Sequence, residues 1–476
     1  MGDDAHVPHI RNKERCPIPE RPRHVDANPS LAAGDLSAAH VAVIGINYAP
    51  EPTGSAPYTT GLAETLAEVA ASVTVVCGIP HYPAWRPEPA YRWRWCSAYT
   101  RNGVDVHHLR HYVPPRQSAG HRLLWEGTFL AHAASHRLRR RPDIVIASTP
   151  SLSGAVAAGR LARRHGAALG VVVQDLVGQA VTGSGLSGGR RVAWLAGAVE
   201  RSVLRQADRV AVVSDTFRAQ LASYGVGHDA IVSLPNWTHI PPPTSPRSET
   251  RKHLGWSEDE SVILHTGNMG LKQNLDNVVV AARLSPAGVR FVLVGDGSQR
   301  AALEAQARGV PNVQLLPPVT VNQYPDLLAA ADVLLVNERA SVAGMSLPSK
   351  LTSYLAAGRP VLAAVSAEGA CARELRRTGG AAECVLPDDP PALAAAAVRL
   401  SDAPAIRQRM ADRGREYARL ELGAGVARQR CLAFASALLT AGDVTVPRQR
   451  LDEPVGGRRR PAGESASFQV SSQVSP

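Results

Sequence analysis

Short, uninterrupted runs of apolar residues recur along the chain, and most are followed by a loop rich in glycine or proline and then by a segment with helical periodicity. The first runs are 41–46 and 73–77, with a predicted helix from about 58 to 69 between them. Apolar runs without polar alternation are typical of parallel strands covered on both faces. The opening therefore predicts a strand–helix–strand unit, with its first loop at the carboxyl edge of a parallel sheet, where α/β proteins bind ligands.

The same alternation continues to about residue 237 and starts again near residue 262, after a proline-rich segment at 241–246. This repetition predicts an α/β protein with two Rossmann-like domains that face a cleft. The predicted boundaries are a disordered tail at 1–38, a domain at 39–237, a linker at 238–250, a domain at 251–415, a C-terminal helix at 416–442 that packs back on the first domain, and a disordered tail at 443–476. Both tails are polar and lack periodicity.

Composition narrows the classes of function. The net charge of +11 on 476 residues favours an anionic partner, such as a phosphorylated substrate, an anionic membrane surface or nucleic acid. The six cysteines form no CxxC pair, which favours a reducing compartment and argues against a zinc site. No apolar run reaches the roughly 18 residues of a membrane-spanning helix, and the N-terminus has no signal-peptide core. We therefore expect a cytoplasmic protein that can rest on the inner face of the plasma membrane.

Basic and aromatic residues concentrate at 86–141, where eleven arginines face three carboxylates. Leu123, Leu124 and Trp125, together with Phe129, predict an amphipathic face. Arginine beside tryptophan and leucine is typical of contact with an anionic bilayer surface. A nucleic-acid patch has a similar composition, and a solvated arginine-rich face is an equally ordinary explanation.

Two lysines stand out because arginine is the ordinary base of this chain. Only four of its 52 basic residues are lysines, namely Lys13, Lys252, Lys272 and Lys350. Lys350 follows Pro348 in a predicted first helical turn, where unpaired N–H groups attract phosphate. Lys272 lies in a glycine-bearing loop after the predicted strand at 262–267. Two lysines and two glycine loops at one strand edge fit a diphosphate better than two unrelated solvated lysines.

Two further residues can each be interpreted in two ways. Asp175 follows the predicted strand at 168–173 and faces the cleft, either as a helix N-cap or as a functional carboxylate. Gly54 lies in the first loop and either makes a turn or allows a ligand to approach the backbone.

Several motifs, in this order and spacing, resemble glycosyltransferase family 4 of the GT-B fold, and most of all its colanic-acid and O-antigen biosynthesis enzymes. The resemblance covers about 40–435 and rests on Tyr-Ala-Pro-Glu-Pro-Thr-Gly at 48–54, Val-Gln-Asp-Leu at 173–176, Leu-Pro-Asn-Trp at 234–237, Thr-Gly-Asn-Met-Gly-Leu-Lys-Gln at 266–273, Val-Gly-Asp-Gly at 294–297 and Leu-Pro-Ser-Lys at 347–350.

The resemblance implies a retaining, metal-independent transferase that moves a sugar from a nucleotide diphosphate donor, with UDP-sugars favoured, to a polysaccharide or lipid-linked acceptor such as a polyprenyl-linked glycan. The chain has no Asp-x-Asp signature, and no cofactor is expected. The first domain would hold the acceptor and the second the donor. Asp175 would be catalytic. The implied donor-binding residues are Gly54, Gly267, Asn268, Lys272, Ser346, Leu347, Ser349, Lys350 and Ser353. Glu51, Thr53 and Ser55 would form an acceptor or phosphate loop.

The chain also departs from the family pattern. Many members carry two glutamates around the helix at 350, where this chain has Met345 and Ser353. An arginine that often accompanies the diphosphate lysine is replaced by Asn268, and Lys350 is a candidate to restore that charge. Glu338 is either a replacement carboxylate or an ordinary loop acid.

Three alternatives to a glycosyltransferase therefore stay open at this point. They are a sugar-nucleotide epimerase of the same fold, a non-catalytic nucleotide-sugar-binding protein and, less favoured, a nucleic-acid-binding protein acting through 86–141. Product analysis with the donor alone separates the first from a transferase.

Overall fold

The computed structural model describes residues 35–52, 54–82, 84–115, 118–176, 189–342 and 348–443. It contains two mainly parallel sheets with helices on their faces, so the predicted fold class is confirmed. Most of the two predicted tails lies outside the described residues. The described part of the first tail includes the buried Leu36, so ordered structure begins before the predicted boundary.

The first sheet has eight strands in the order β3-β4-β2-β1-β5-β6-β7-β8. Its strands are β1 His40–Ile44, β2 Ser72–Gly78, β3 Cys96–Arg101, β4 Val104–Leu109, β5 Ile144–Ser148, β6 Ala168–Val173, β7 Arg209–Val212 and β8 Ile231–Ser233. The described helices of this half are α1 Ala56–Ala67, α2 Ala119–Ser135, α3 Leu152–His165, α4 Gly189–Gln206 and α5 Arg218–Ser223.

The second sheet has six strands in the order β11-β10-β9-β12-β13-β14. Its strands are β9 Ser261–Thr266, β10 Val289–Val294, β11 Val313–Leu316, β12 Val333–Asn337, β13 Val361–Ala364 and β14 Ala382–Val385. The helices are α6 Arg247–Leu254, α7 Asp276–Arg283, α8 Arg300–Gln306, α9 Tyr324–Ala330, α10 Lys350–Ala356, α11 Ala370–Arg377, α12 Pro390–Ser401, α13 Pro404–Glu421 and α14 Ala424–Asp443. Short 3-10 turns lie at Leu36–Ala38, Pro89–Tyr91, Asp215–Phe217, His228–Ala230, Leu271–Gln273 and Ala340–Val342.

Strand order locates the ligand-binding edge of each sheet. The second sheet follows the doubly wound order 3-2-1-4-5-6, so its connections change direction between β9 and β12. The first sheet changes direction in the same way between β1 and β5. Ligands of open α/β sheets bind beyond the carboxyl ends of the strands at such a switch point. The loops after β9 and β12, and after β1 and β5, are therefore the places to look for a site.

Buried apolar side chains hold each sheet between its helices. The central residues of β9 and β10 are apolar and buried. Their side chains belong to two core clusters, which also contain apolar side chains of the helices. In the first sheet, α2 and α3 pack on one face, while Phe434 and Leu438 of α14 pack on the other. Gly170 in β6 makes room for these two side chains, because an added Cβ would lie 2.7 Å from Leu438 and 2.8 Å from Phe434.

The predicted boundaries at the C-terminus need a correction. Residues 415 and 416, predicted to separate the second domain from the last helix, both lie inside α13. That helix packs against α10 of the second half, with Tyr417 and Ala418 in the same core cluster as Tyr354. The chain returns to the first sheet only with α14, and the predicted linker 238–250 likewise overlaps α6.

The region 86–141 also differs from the prediction. It contains an antiparallel hairpin of β3 and β4 at the sheet edge, which the sequence analysis did not predict. Trp125 and Phe129 of α2 are buried in the core, whereas Leu123 and Leu124 of the same helix are exposed. The predicted amphipathic face therefore belongs in part to the core, because the larger aromatic side chains of α2 face the sheet.

Candidate active site

The loops after β9 and β10 meet next to the switch point, and glycines let their backbones approach closely. Gly295 has φ +149°, and an added Cβ would lie 1.8 Å from the carbonyl oxygen of Gly267. Gly297 has φ +157°, and a Cβ there would lie 2.5 Å from the Met269 carbonyl oxygen. Any larger side chain would force these loops apart. The glycines therefore keep an exposed backbone edge, including Gly267 and Asn268, at the mouth of the cleft.

A buried amide fixes the turn that carries Lys272. The side chain of Asn337, at the end of β12, donates to the carbonyl oxygens of Gln273 at 2.8 Å and Asn274 at 3.0 Å. The N–H of Arg339 donates to the Lys272 carbonyl oxygen at 2.9 Å. The backbone of the turn is thus fastened to the loop after β12, while the Lys272 side chain stays exposed. An exposed ammonium on a fixed turn is suited to meet an anion.

Lys350 is the first residue of α10, and its side chain contacts a buried histidine. Its Nζ lies 3.2 Å from Nε2 of His265, and the His265 Nδ1 lies 3.2 Å from the Leu335 carbonyl oxygen. Burial, and then the positive charge of Lys350, holds the pKa of His265 well below its usual range. A neutral imidazole that donates from Nδ1 to Leu335 can accept a proton of Lys350 at Nε2. His265 therefore holds the ammonium beside the loop after β9, where Nζ would lie 3.6 Å from a Cβ added at Gly267.

Glu338 lies beside the two lysines, immediately after β12. Burial raises the pKa of Glu338 to about 7, although Lys350 and Lys272 oppose this rise. Burial in turn lowers the pKa of Lys350 to about 8, while Glu338 opposes the fall. The two residues are therefore electrostatically coupled, and the net charge of this edge changes near neutral pH.

Asp175, from the first half, completes the charged group. Burial raises the pKa of Asp175 to about 6, and the positive charges of Lys272 and Arg122 oppose the rise. Lys272 belongs to the second half, so this interaction crosses the cleft. A carboxyl whose pKa is raised toward neutrality, and which is near a strand end in a cleft, is suited to accept a proton.

The loop after β1 has a different character. Glu51 is buried, and its Oε1 accepts from the N–H groups of His81 and Tyr82, both at 2.8 Å. Its Oε2 accepts from Nδ2 of Asn47 at 2.7 Å. Glu51 therefore fastens the loop to residues 79–82 and acts on its shape. Gly54 is exposed with φ +72°, and Ser55 opens α1 without capping it through its side chain.

The remaining predicted residues are divided between described and undescribed parts of the chain. Ser349 is exposed at the start of α10, and Ser353 is buried on the same helix. Thr53, Met345, Ser346 and Leu347 lie outside the described residues. The donor-binding and acceptor roles of all the candidate residues stay predictions.

Sequence reasoning missed His265, Asn337 and Arg122, which act on the lysines and on Asp175. Two of them carried a recognisable signal, since His265 and Asn337 are polar residues near the carboxyl ends of mainly apolar strands. Arg122 carried none, because it is one of eleven arginines in its region.

Solved structures with the same fold define the class. Sucrose-phosphate synthase from Thermosynechococcus elongatus superposes with a TM-score of 0.65 at 17% identity, covering 82% of this chain and 96% of that one. HepE of Anabaena, solved with UDP-glucose, gives a TM-score of 0.61 at 16% identity, covering 83% of this chain and 98% of that one. These likenesses show a GT-B fold.

Sequence comparison adds the family. Residues 53–237 match the glycosyl transferase 4-like domain, and residues 260–403 match the glycosyl transferases group 1 domain. WcaI of Escherichia coli (strain K12), named as a colanic acid biosynthesis glycosyl transferase, is 34% identical over 368 residues, covering 75% of this chain and 90% of WcaI. The chain therefore belongs to glycosyltransferase family 4, as its motifs predicted.

Proposed function

We propose that this glycosyltransferase moves a sugar, with retention of configuration, from a nucleotide diphosphate donor to a glycan acceptor in polysaccharide assembly. The observation that carries the proposal is the convergence of Lys272 and Lys350 at the switch point of the second sheet, across the cleft from Asp175. A UDP-sugar is the favoured donor, since HepE of the same fold was solved with UDP-glucose.

The chemistry follows from where charge develops. When the bond between the sugar carbon and the donor phosphate breaks, negative charge builds on the departing diphosphate. Lys272 and Lys350, which His265 contacts, can hold that charge, and the absence of a side chain at Gly267 would let the phosphates come close to the backbone there. Helix α10 has seven residues, so the side-chain charge of Lys350 matters more than the helix dipole.

Asp175 has the complementary role on the acceptor side. As the bond to the diphosphate breaks, the acceptor oxygen bonds to the sugar carbon on the same face, which retains the configuration, and Asp175 takes the hydroxyl proton of the acceptor. Its pKa of about 6 leaves it mostly ionised at pH 7 and still basic enough to take that proton. Two ammonium groups face the leaving group, so the proposal needs no divalent ion. Activity that survives a chelator would support this point, and activity restored only by added Mg²⁺ or Mn²⁺ would contradict it.

The decisive test is nucleotide binding to lysine variants. We expect a screen of thermal protection by nucleotides to select one base, and Lys272→Ala and Lys350→Ala each to weaken that nucleotide about 10-fold to 100-fold by losing a charge-assisted contact. Lys252→Ala is the matched control, because Lys252 is an exposed lysine on α6, before β9. Unchanged affinity in both variants would refute the site. Turnover of donor without acceptor into an epimer would instead indicate the epimerase, and binding without turnover the non-catalytic protein.

We further propose that the acceptor is lipid-linked and that the enzyme works as a peripheral protein at the cytoplasmic face of the membrane. None of the helices in the described part of the chain is long and apolar enough to cross a membrane. Trp93 is 76% exposed, Trp95 69%, Leu123 58% and Leu124 54%, in a region rich in arginine. Such side chains fit the interface of an anionic bilayer.

Vesicle sedimentation tests this surface. We expect the protein to bind vesicles that contain anionic lipid, and the double variant Trp95→Ser with Leu124→Ser to bind them at least about tenfold more weakly. Leu386→Ser is the control, since Leu386 is an exposed leucine of the second half. Equal binding by both variants would contradict the proposal, as would stronger binding to duplex DNA than to vesicles.

A further inference from the structure

Two histidines and a cysteine converge on the face of the hairpin that α2 covers. Cys96 begins β3 and His107 lies on β4, where the antiparallel register pairs Cys96 with Leu109 and His107 with Ala98. Directly opposed residues share one face of a sheet, so the side chains of Cys96 and His107 lie on the same face. The third residue, His136, is the C-cap of α2, the helix that packs over this face.

The three side chains are close enough to share one ion. A ligand atom of each lies within 4.8 Å of the other two. Nδ1 of His107 and Nε2 of His136 are 2.9 Å apart. Zinc bonds of about 2.0 Å to nitrogen and about 2.3 Å to sulfur in a tetrahedron place two nitrogens about 3.3 Å apart and a nitrogen and a sulfur about 3.5 Å apart. Side-chain shifts of roughly 1 Å would therefore convert the observed arrangement into a coordination shell.

The exposure of the three residues also suits a metal. Cys96 is exposed, whereas His107 and His136 are partly buried, so an ion could enter from solvent and still be partly shielded by the protein. The Cys96 thiol is exposed to solvent, and a bound metal would deprotonate it.

We propose that Cys96, His107 and His136 form a binding site for Zn²⁺, with the fourth position open to solvent. Two imidazoles and one thiolate are borderline-soft ligands of the kind that zinc prefers. An ion there would join β3, β4 and the end of α2. The absence of a CxxC pair argued against a zinc site, but these three ligands are distant in sequence and only the hairpin and α2 bring them together. The site stands independently of the proposed transferase activity.

Co²⁺ binding to the full-length, metal-free protein under reducing conditions tests the proposal. We expect one Co²⁺ per chain with a thiolate-to-cobalt charge-transfer band and the visible spectrum of tetrahedral cobalt, both abolished by one equivalent of Zn²⁺. Cys96→Ser should lose the charge-transfer band, and His136→Gln should bind Zn²⁺ at least about tenfold more weakly. Added Zn²⁺ should raise the melting temperature of the unmodified protein and not that of Cys96→Ser.

The controls are Cys384→Ser and His228→Gln, which change an exposed cysteine and an exposed histidine elsewhere and should leave binding unchanged. Melting temperatures without metal establish that every variant is folded. The proposal is overturned if no charge-transfer band forms, if the band survives in Cys96→Ser, or if Cu⁺ binds at these residues while Zn²⁺ and Co²⁺ do not.

Discussion

The loops after β1 and β9 occupy equivalent positions in the two halves, yet they carry opposite chemistry. In the first loop, the buried carboxylate of Glu51 is fully engaged with Asn47, His81 and Tyr82. In the second, Lys272 is exposed on a turn that Asn337 fastens only through its backbone. The loop after β1 therefore has its carboxylate engaged in holding the loop in place, whereas the equivalent loop after β9 presents a positive charge. The proposed division between acceptor side and donor side follows from this difference.

The largest expected effect is a loss of kcat on substitution of Asp175, which distinguishes the acceptor side from the donor side. We expect Asp175→Asn to lower kcat by about 10²–10⁴-fold, because the amide cannot take the acceptor proton. Nucleotide affinity should stay the same or rise slightly, since a negative charge near Lys272 is removed. Steady-state kinetics together with calorimetric titration of the nucleotide measure both quantities.

Asp229→Asn, at an exposed carboxylate in the turn His228–Ala230, is the control for loss of charge. An unchanged kcat in Asp175→Asn would remove Asp175 from the chemistry. A loss of nucleotide affinity as large as the loss of kcat would place Asp175 on the donor side, and the proposed division between the two sides would then be wrong.

Much of the fold could be predicted from local pattern alone. Apolar runs such as 41–46 and 262–267 identify β1 and β9, because strands covered on both faces need apolar side chains throughout. The hairpin could not be predicted in this way. Residues of β3 are almost all exposed, so no apolar periodicity marks them.

The site was predictable where a residue was chemically unusual and not where it depended on a distant contact. Lys272 and Lys350 stand out among arginines, and the structure brings both close enough to Glu338 to shift its pKa. His265 contacts Lys350 across 85 residues of chain, a distance that no local pattern spans. Trp125 likewise has helical spacing, but spacing alone does not show whether its face meets lipid or a sheet.

A second experiment compares the two loops through glycines, namely Gly54 in the loop after β1 and Gly295, which follows β10 and packs against Gly267 in the loop after β9. Gly295→Ala would put a Cβ 1.8 Å from the Gly267 carbonyl oxygen at φ +149°, so the backbone must move. We expect it to lower the free energy of unfolding by about 3 kcal/mol and to weaken the nucleotide. The Cβ added by Gly54→Ala would come nearest to the Tyr82 ring, at 3.2 Å, and should cost about 1 kcal/mol. The proposed division between the two sides predicts unchanged nucleotide affinity in this variant, whereas the family resemblance implies that Gly54 contacts the donor.

Urea unfolding and nucleotide titration measure the pair. Equal effects of the two substitutions on nucleotide affinity would show that the loop after β1 takes part in donor binding, and the proposed division would then be wrong.

The smallest expected effect is a pH dependence that is specific to the donor side. The pKa of Lys350 is about 8, and the anionic diphosphate binds better while this residue is protonated. Nucleotide affinity should therefore fall as pH rises through about 8, by at most about tenfold per pH unit for a single proton. Glu338, with a pKa of about 7, adds a shallower decline at lower pH as it ionises beside the phosphates.

Calorimetric titrations at a series of pH values, above the ionisation of the nucleotide's own phosphates, separate these contributions. Lys350→Met should bind more weakly and lose the decline that Lys350 causes, while the decline from Glu338 moves to higher pH because Lys350 no longer lowers the pKa of Glu338. Glu338→Gln should lose its own decline and keep that of Lys350, moved to lower pH because Glu338 no longer raises the pKa of Lys350. On the acceptor side, Asp175 with its pKa of about 6 should instead lower kcat as pH falls, without changing nucleotide affinity. If Lys350→Met kept the full pH dependence, the ammonium next to His265 would not be the group that meets the donor, and Lys272 alone would carry the charge of the second loop.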